Sequence, residues 1–106
     1  MSGSGGGGWA PAPTQSDCGS LSQITTLNSP QIEVLAQLQS GIILDIVLLQ
    51  KGKVAIVQAV YQGSVAGTIT SSIIQRIAEC IDSGFEYVAE VLDITGGACK
   101  VKVRAK

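Results

Sequence analysis

The chain has 106 residues, which suits a single domain, and its net charge is −1 at pH 7. A charge this close to zero argues against a broadly basic nucleic-acid-binding protein. The sequence contains no histidine, so the commonest general base and the commonest metal ligand are both missing. Hydrophobic residues make up 45% of the chain and charged residues only 14%, and a surface with so little charge favours self-association.

The three cysteines are Cys18, Cys80 and Cys99, an odd number, and no two of them form a CxxC pair. We therefore predict reduced thiols in a cytoplasmic protein, with Cys80 and Cys99 in the core. The alternative is one disulfide together with a third, unpaired thiol.

The start of the chain lacks the basic segment and the apolar run that are typical of a signal peptide. The longest apolar run, residues 42–49, is interrupted by Asp45 and is much shorter than the roughly 20 residues that span a bilayer. The sequence thus predicts a cytoplasmic location and no membrane partner.

Residues 1–20 contain four consecutive glycines, two prolines and many small polar side chains. Such a segment cannot form a packed element, so we predict a disordered tail, either natural or an artificial leader. Trp9 stands alone in this tail, either as an exposed side chain or as an anchor for a partner. The folded domain is expected to comprise residues 21–106.

The first half of that domain reads as a strand, a short helix and a hairpin. Residues 21–27 favour a strand, and residues 30–39 favour a helix with Ser29 as its N-cap. The near-continuous apolar run of residues 42–50 predicts a strand that is buried on both sides or central in a barrel. The segment Lys51-Gly52-Lys53 turns the chain into a return strand at residues 54–61.

Residues 63–106 form the most clearly patterned unit. Residues 64–70 predict a strand, in which Gly67 indicates a bend or a close approach of the backbone. The apolar stripe of residues 73–83 predicts the main helix, with Ser72 as the N-cap and Gly84 at the C-terminal end. Two closing strands follow at residues 85–94 and 98–105, joined by a Gly-Gly turn.

About six strands in antiparallel hairpins, with one main helix and one short helix, define the expected fold class. We predict a mostly β (α+β) protein, a small, partly closed antiparallel β-barrel whose ends are plugged by helices.

No catalytic set is apparent in the sequence. The carboxylates are scattered, the thiols have no histidine partner, and the glycine-rich pieces match no phosphate-binding motif. Without histidine or clustered cysteine, metal binding is not expected either. We therefore predict a non-enzymatic module without a cofactor.

The one ordered charge pattern lies at the end of the chain, where period-two alternation puts four cations on one face of the last strand: Lys100, Lys102, Arg104 and Lys106. One interpretation is a solvated strand face that pairs with Glu86 and Glu90 of the preceding strand. The other is a stripe that contacts the phosphates of single-stranded nucleic acid. Tyr61 and Tyr87 would then provide stacking surfaces for the bases.

The pieces VAGTIT, SSIIQRIAECIDSG, FEYVAEVLDI and ACKVKVRAK lie in an order that resembles the HIRAN domain, a small barrel of DNA-remodelling and repair proteins. The resemblance covers residues 63–106, less than half of the chain. It implies an OB-like barrel that binds single-stranded DNA ends, and it carries over no individual contact residue. The sequence thus favours a binding module for single-stranded DNA, with a protein-interaction or self-assembling module as the alternative.

Overall fold

The computed structural model describes residues 15–106, and for residues 15–17 and Lys51 it describes the backbone alone. Six strands and three helices follow one another along this part of the chain: α1 (Gln15–Ser20), β1 (Ser22–Thr26), α2 (Ile32–Leu35), β2 (Ile43–Lys51), β3 (Val54–Tyr61), β4 (Ser64–Ile69), α3 (Ile74–Asp82), β5 (Tyr87–Thr95) and β6 (Ala98–Ala105). The predicted tail up to residue 14, with Trp9, lies outside the described residues.

All six strands form one antiparallel sheet in the order β1-β6-β5-β2-β3-β4. The sheet curls into a half-barrel, so the predicted fold class is confirmed. Three pairs of neighbours are tight hairpins, β2–β3, β3–β4 and β5–β6. The turn glycines that join them, Gly52, Gly63, Gly96 and Gly97, have positive φ angles of 62°, 86°, 58° and 84°.

The segment after β1 draws the two ends of the sheet together. Leu27 still bonds to β6 through Cys99, but the next residue, Asn28, exchanges two backbone hydrogen bonds of 2.8 Å with Thr68 of β4. Gly67 makes this approach possible, because a Cβ at that position would lie 2.9 Å from the Cβ of Leu27. The predicted close approach of the backbone at Gly67 is thereby confirmed.

Alternate residues of each strand point into the core, which is almost entirely aliphatic. On β6 the inward residues are Cys99, Val101 and Val103, all at most 1% exposed. Helix α3 covers the concave side of the sheet with Ile77 and Cys80, which are fully buried. No helix in residues 15–106 has the length and apolar character that crossing a membrane requires.

The predicted helix termini were right at one end and wrong at the other. Helix α3 ends as expected, because Gly84 adopts a φ of 104° and Phe85 donates its N–H to the carbonyl of Cys80. At its start the N-cap residue is Ile73, with no side-chain cap bond, so the predicted capping role of Ser72 is wrong.

The first predicted helix is also shorter than expected. It begins after Gln31 and covers Ile32–Leu35 rather than residues 30–39. Ser29 does not cap it, because its φ of 49° belongs to a turn between Asn28 and Gln31, which both bond to β4. The hydrogen bond from the Gln31 N–H to the carbonyl of Ala66 fixes that turn.

The prediction of three reduced thiols is wrong, because Cys18 and Cys80 form a disulfide between α1 and α3. Residues 15–20, which the sequence assigns to the tail, therefore form a helix that is tied to the domain. Cys18 is 2% exposed, and its carbonyl accepts a 2.6 Å hydrogen bond from the Tyr87 hydroxyl. Cys99 is the buried, unpaired thiol that the alternative interpretation required.

Candidate functional site

The basic strand is placed as its alternation predicts. Lys100, Lys102 and Arg104 of β6 lie on the convex outer face of the sheet, since the residues between them are buried. Lys106 directly follows the strand and is exposed. The structure thus brings the four predicted cations to one end of the outer face.

Carboxylates of β5 and the segment before it neutralise half of this stripe. Arg104 lies 3.6 Å from the Glu90 carboxylate, and Lys106 lies 3.3 Å from that of Glu86. Both ion pairs are partly or largely exposed, so each contributes little stability, but each lowers the positive potential of the face. Lys100 and Lys102 form no ion pair with another described side chain.

The two predicted stacking residues do not accompany the cations. Tyr87 is 3% exposed and points into the core, where burial raises the pKa of its hydroxyl and the charge of Arg76 opposes that rise only in part. Tyr61 packs against the core from the end of β3. Period-two alternation places both rings on the opposite side of the sheet from the lysines, so neither offers a base a stacking surface there.

A second feature of the outer face is apolar. On β2 and β3 the side chains of Ile43, Val47, Leu49 and Val54 are 45, 37, 38 and 58% exposed. The register pairs Leu49 with Ile56, which extends the apolar surface to β3, whereas Val47 lies opposite Gln58 and Val60 lies opposite Asp45. We call this set, Ile43, Val47, Leu49, Val54, Ile56 and Val60, the outer patch.

The outer patch decides between the two alternatives predicted for β2, burial on both sides or a central place in the barrel, in favour of the second. Strand β2 is central, as predicted, but it is not buried on both sides, because only Leu44 and its alternate neighbours face the core. A continuous apolar run is typical of a strand that is buried on both faces. The run itself does not show whether a second layer of structure covers the outer face. Ile43, Val47 and Leu49 on the other side of β2 are partly exposed, so the described residues leave this face partly uncovered.

Openings occur at the ends of the barrel formed by the described residues. One opening of about 400 Å³ lies beside Phe85 and the Glu86–Lys106 ion pair, and another of about 470 Å³, lined by uncharged residues, lies between β3, β4 and the start of α3. Among residues 15–106 no group of three or more potential metal ligands comes together. The Cys99 thiol is buried, and burial together with the charge of Asp93 raises its pKa, so it is poorly suited to act as a nucleophile.

No family model, curated protein or solved structure matches the chain. The outer face carries both features described above, the apolar patch on β2–β3 and the basic strand β6.

Proposed function

We propose that the protein is a non-enzymatic module that assembles with a second copy of itself through the outer patch. The observation that carries this proposal is the exposure of Val47, Leu49 and Val54 on the outer face of one hairpin, where Leu49 lies opposite Ile56. Scattered single apolar residues are normal on protein surfaces, but several exposed apolar residues close together on one face are typical of an interface.

A second copy fits the patch because a two-fold axis through it satisfies both apolar and charged groups. An axis that lies in the interface plane, perpendicular to the strands and above the midpoint of Val47 and Leu49, would set the two hairpins antiparallel, face to face, about 10 Å apart. The turn of one copy, with the exposed Lys53, would then lie near the other end of the partner hairpin, where Asp45 is exposed. Opposite charges would meet at the two rims of an aliphatic centre.

Substitution of the patch centre tests the proposal. Changing Val47→Lys and Leu49→Lys together buries two charges in the interface, so we expect a dimer to become a monomer in sedimentation velocity. Ile32→Lys is the matched control, because Ile32 is 62% exposed on α2, away from the patch. A wild-type chain that sediments as a monomer at every attainable concentration would overturn the proposal.

Single-stranded nucleic-acid binding along β6 is the second candidate function, and the HIRAN resemblance is part of its support. The specific observation in its favour is that Lys100 and Lys102 are adjacent on one face and carry no ion pair with described residues. It stands second because Glu86 and Glu90 pair with the other two cations and because both tyrosines face the core.

The cytoplasmic location stays a prediction from composition, and the Cys18–Cys80 disulfide favours an oxidising compartment instead. Alkylation of intact cells before lysis decides between them. Cysteines that are already oxidised in the cell place the protein outside the reducing cytoplasm, whereas three alkylated thiols support the cytoplasm.

A further inference from the structure

The outer edge of β1 carries backbone groups that no described strand pairs. Thr26 lies opposite Lys100, so the next residue, Leu27, lies opposite Cys99, and its N–H donates to the Cys99 carbonyl. In an antiparallel pair every second residue bonds to the partner strand, so the odd-numbered residues of β1 are the ones that bond to β6. The N–H and C=O groups of Ser22, Ile24 and Thr26 consequently point away from the sheet. Asn28 has the same parity, and its outward groups do bond to Thr68 of β4.

This edge lacks the usual protection against strand addition. Exposed edges are commonly blocked by charged side chains, proline or a bulge. The sequence of β1 is Ser-Gln-Ile-Thr-Thr, without charge or proline, and its pairing with β6 is regular. Ile24 at its centre is 58% exposed on the outer face. Among residues 15–106 the other edge strand, β4, is partly covered by Asn28 and Gln31, whereas β1 has a neighbouring strand on one side only.

Positive charge lies one strand inside this edge. The register sets Lys102 opposite Ile24 and Lys100 opposite Thr26, so both lysines share the outer face with the small side chains of β1. A strand added to β1 would run about 10 Å from β6, which is within the combined reach of a lysine and a glutamate side chain. No described carboxylate lies within ion-pair distance of either lysine, although the register sets Asp93 opposite Lys100 and Glu90 opposite Lys102 on β5.

We propose that the β1 edge binds an extended peptide segment with acidic side chains at alternate positions, which adds to the sheet as a seventh strand. Ser22, Ile24 and Thr26 would supply three N–H donors and three C=O acceptors, and Lys100 and Lys102 would select for acidic residues on the outer face. A second copy fits this edge less well, because two-fold pairing of β1 strands would place the lysine rows of both copies on either side of the same junction.

Fluorescence anisotropy with the full disulfide-bonded chain tests the proposal. The probe is a short labelled peptide of alternating glutamate and valine, and its comparison peptides replace glutamate by lysine or carry N-methyl groups on alternate amides. We expect the acidic peptide to bind, while the lysine peptide and the N-methylated acidic peptide do not, because they lack the charge and the backbone donors respectively.

Two variants assign the binding to this edge. The double variant Lys100→Gln with Lys102→Gln should lower the affinity for the acidic peptide by about fivefold or more. The control Lys53→Gln should leave that affinity unchanged. Ile24→Pro should weaken it by about fivefold, because proline removes an outward donor without removing a bond to β6. If Ile24→Pro does not fold, the N-methylated peptide still tests the backbone pairing.

Several results would overturn the proposal: no binding of the acidic peptide, equal binding of the N-methylated peptide, or tighter binding of an oligo-dT probe of single-stranded DNA. A dimer that Ile24→Pro converts into a monomer would assign the edge to a second copy instead. The Val47→Lys and Leu49→Lys variant should still bind the peptide, which separates this proposal from the proposed self-association.

Discussion

Gly67 is the residue at which the two ends of the curled sheet come closest. Any side chain there would contact Leu27 and the carbonyl oxygen of Asn28. These two residues follow β1, and they bond to β6 and to β4 respectively. The sequence pattern indicated a close approach but could not name the partner, because the contact joins residues that are about forty positions apart.

Gly67→Ala should therefore lower the free energy of unfolding by about 1–3 kcal/mol, as overpacking of a tight contact does. Urea titration followed by circular dichroism measures the change. Gly19→Ala is the control, since a Cβ at Gly19 of α1 meets no atom within 4 Å and alanine favours a helix. Equal midpoints for Gly67→Ala and the wild type would contradict the close approach.

Tyr87 and Cys99 give the protein a defined sensitivity to alkaline pH. Burial raises the pKa of both groups above their ordinary values of 10.0 and 9.0, so the folded state keeps them neutral while the unfolded chain ionises. A group of this kind stabilises the fold below its unfolded pKa, and the contribution disappears as the pH rises through the folded pKa.

We expect the free energy of unfolding to be level near neutral pH and to fall above roughly pH 9. Chemical unfolding at a series of pH values measures the slope. Cys99→Ala should reduce the decrease in the free energy of unfolding at the lower end of this alkaline pH range, where the thiol ionises first. A decline of the same size in that variant would contradict the assignment to Cys99.

At the scale of elements, helix α1 is the piece that depends most on a covalent bond. A six-residue helix is too short to be stable alone, and it is held by the Cys18–Cys80 disulfide and by the Tyr87 hydroxyl. Composition alone assigns this segment to the tail, because the glycine and proline residues just before it give residues 1–20 as a whole the composition of a disordered segment. The pairing of two cysteines 62 positions apart depends on the packing of α1 against α3.

Reduction of the disulfide should lower the free energy of unfolding by about 4 kcal/mol, as a chain-entropy estimate for a loop of this length gives. Urea titration with and without a phosphine reductant measures it. The Cys18→Ala and Cys80→Ala double variant should not respond to reductant, while Cys99→Ala should respond like the wild type. An unchanged midpoint on reduction of the wild type would contradict a structural disulfide.

For the whole molecule, the outer face combines an apolar and a charged half, and salt separates their roles. Self-association through Val47 and Leu49 buries aliphatic surface, whereas nucleic-acid binding along β6 neutralises phosphates. The two functions therefore respond to ionic strength in opposite ways.

We expect the dimer dissociation constant to stay level or to decrease between low and moderate NaCl concentrations, as measured by sedimentation equilibrium. Binding of an oligo-dT probe, if present, should weaken steeply over the same range and should be lost in Lys100→Gln with Lys102→Gln. A dimer that dissociates as salt is added would show that charges rather than the outer patch hold it together.

The sequence by itself determined the strands, the main helix, the hairpin turns and the inward and outward faces of β6, because each depends on local periodicity or on a turn glycine. Local periodicity is not sufficient at Ile94, which strict alternation would place on the same face as Glu90. A bulge between Val91 and Asp93 moves it onto the core side, opposite the buried Cys99.

Tertiary structure alone decided which side of β2 is covered, that Cys18 meets Cys80, and that the tyrosines lie across the sheet from the lysines. The pairing of Glu86 and Glu90 with the basic strand was one of two interpretations of the sequence, and the structure shows it for Arg104 and Lys106. Each of these results joins residues that are distant in sequence through the curl of one sheet. Local patterns specify the direction of a side chain, but what lies opposite it depends on how the whole sheet folds over its helices.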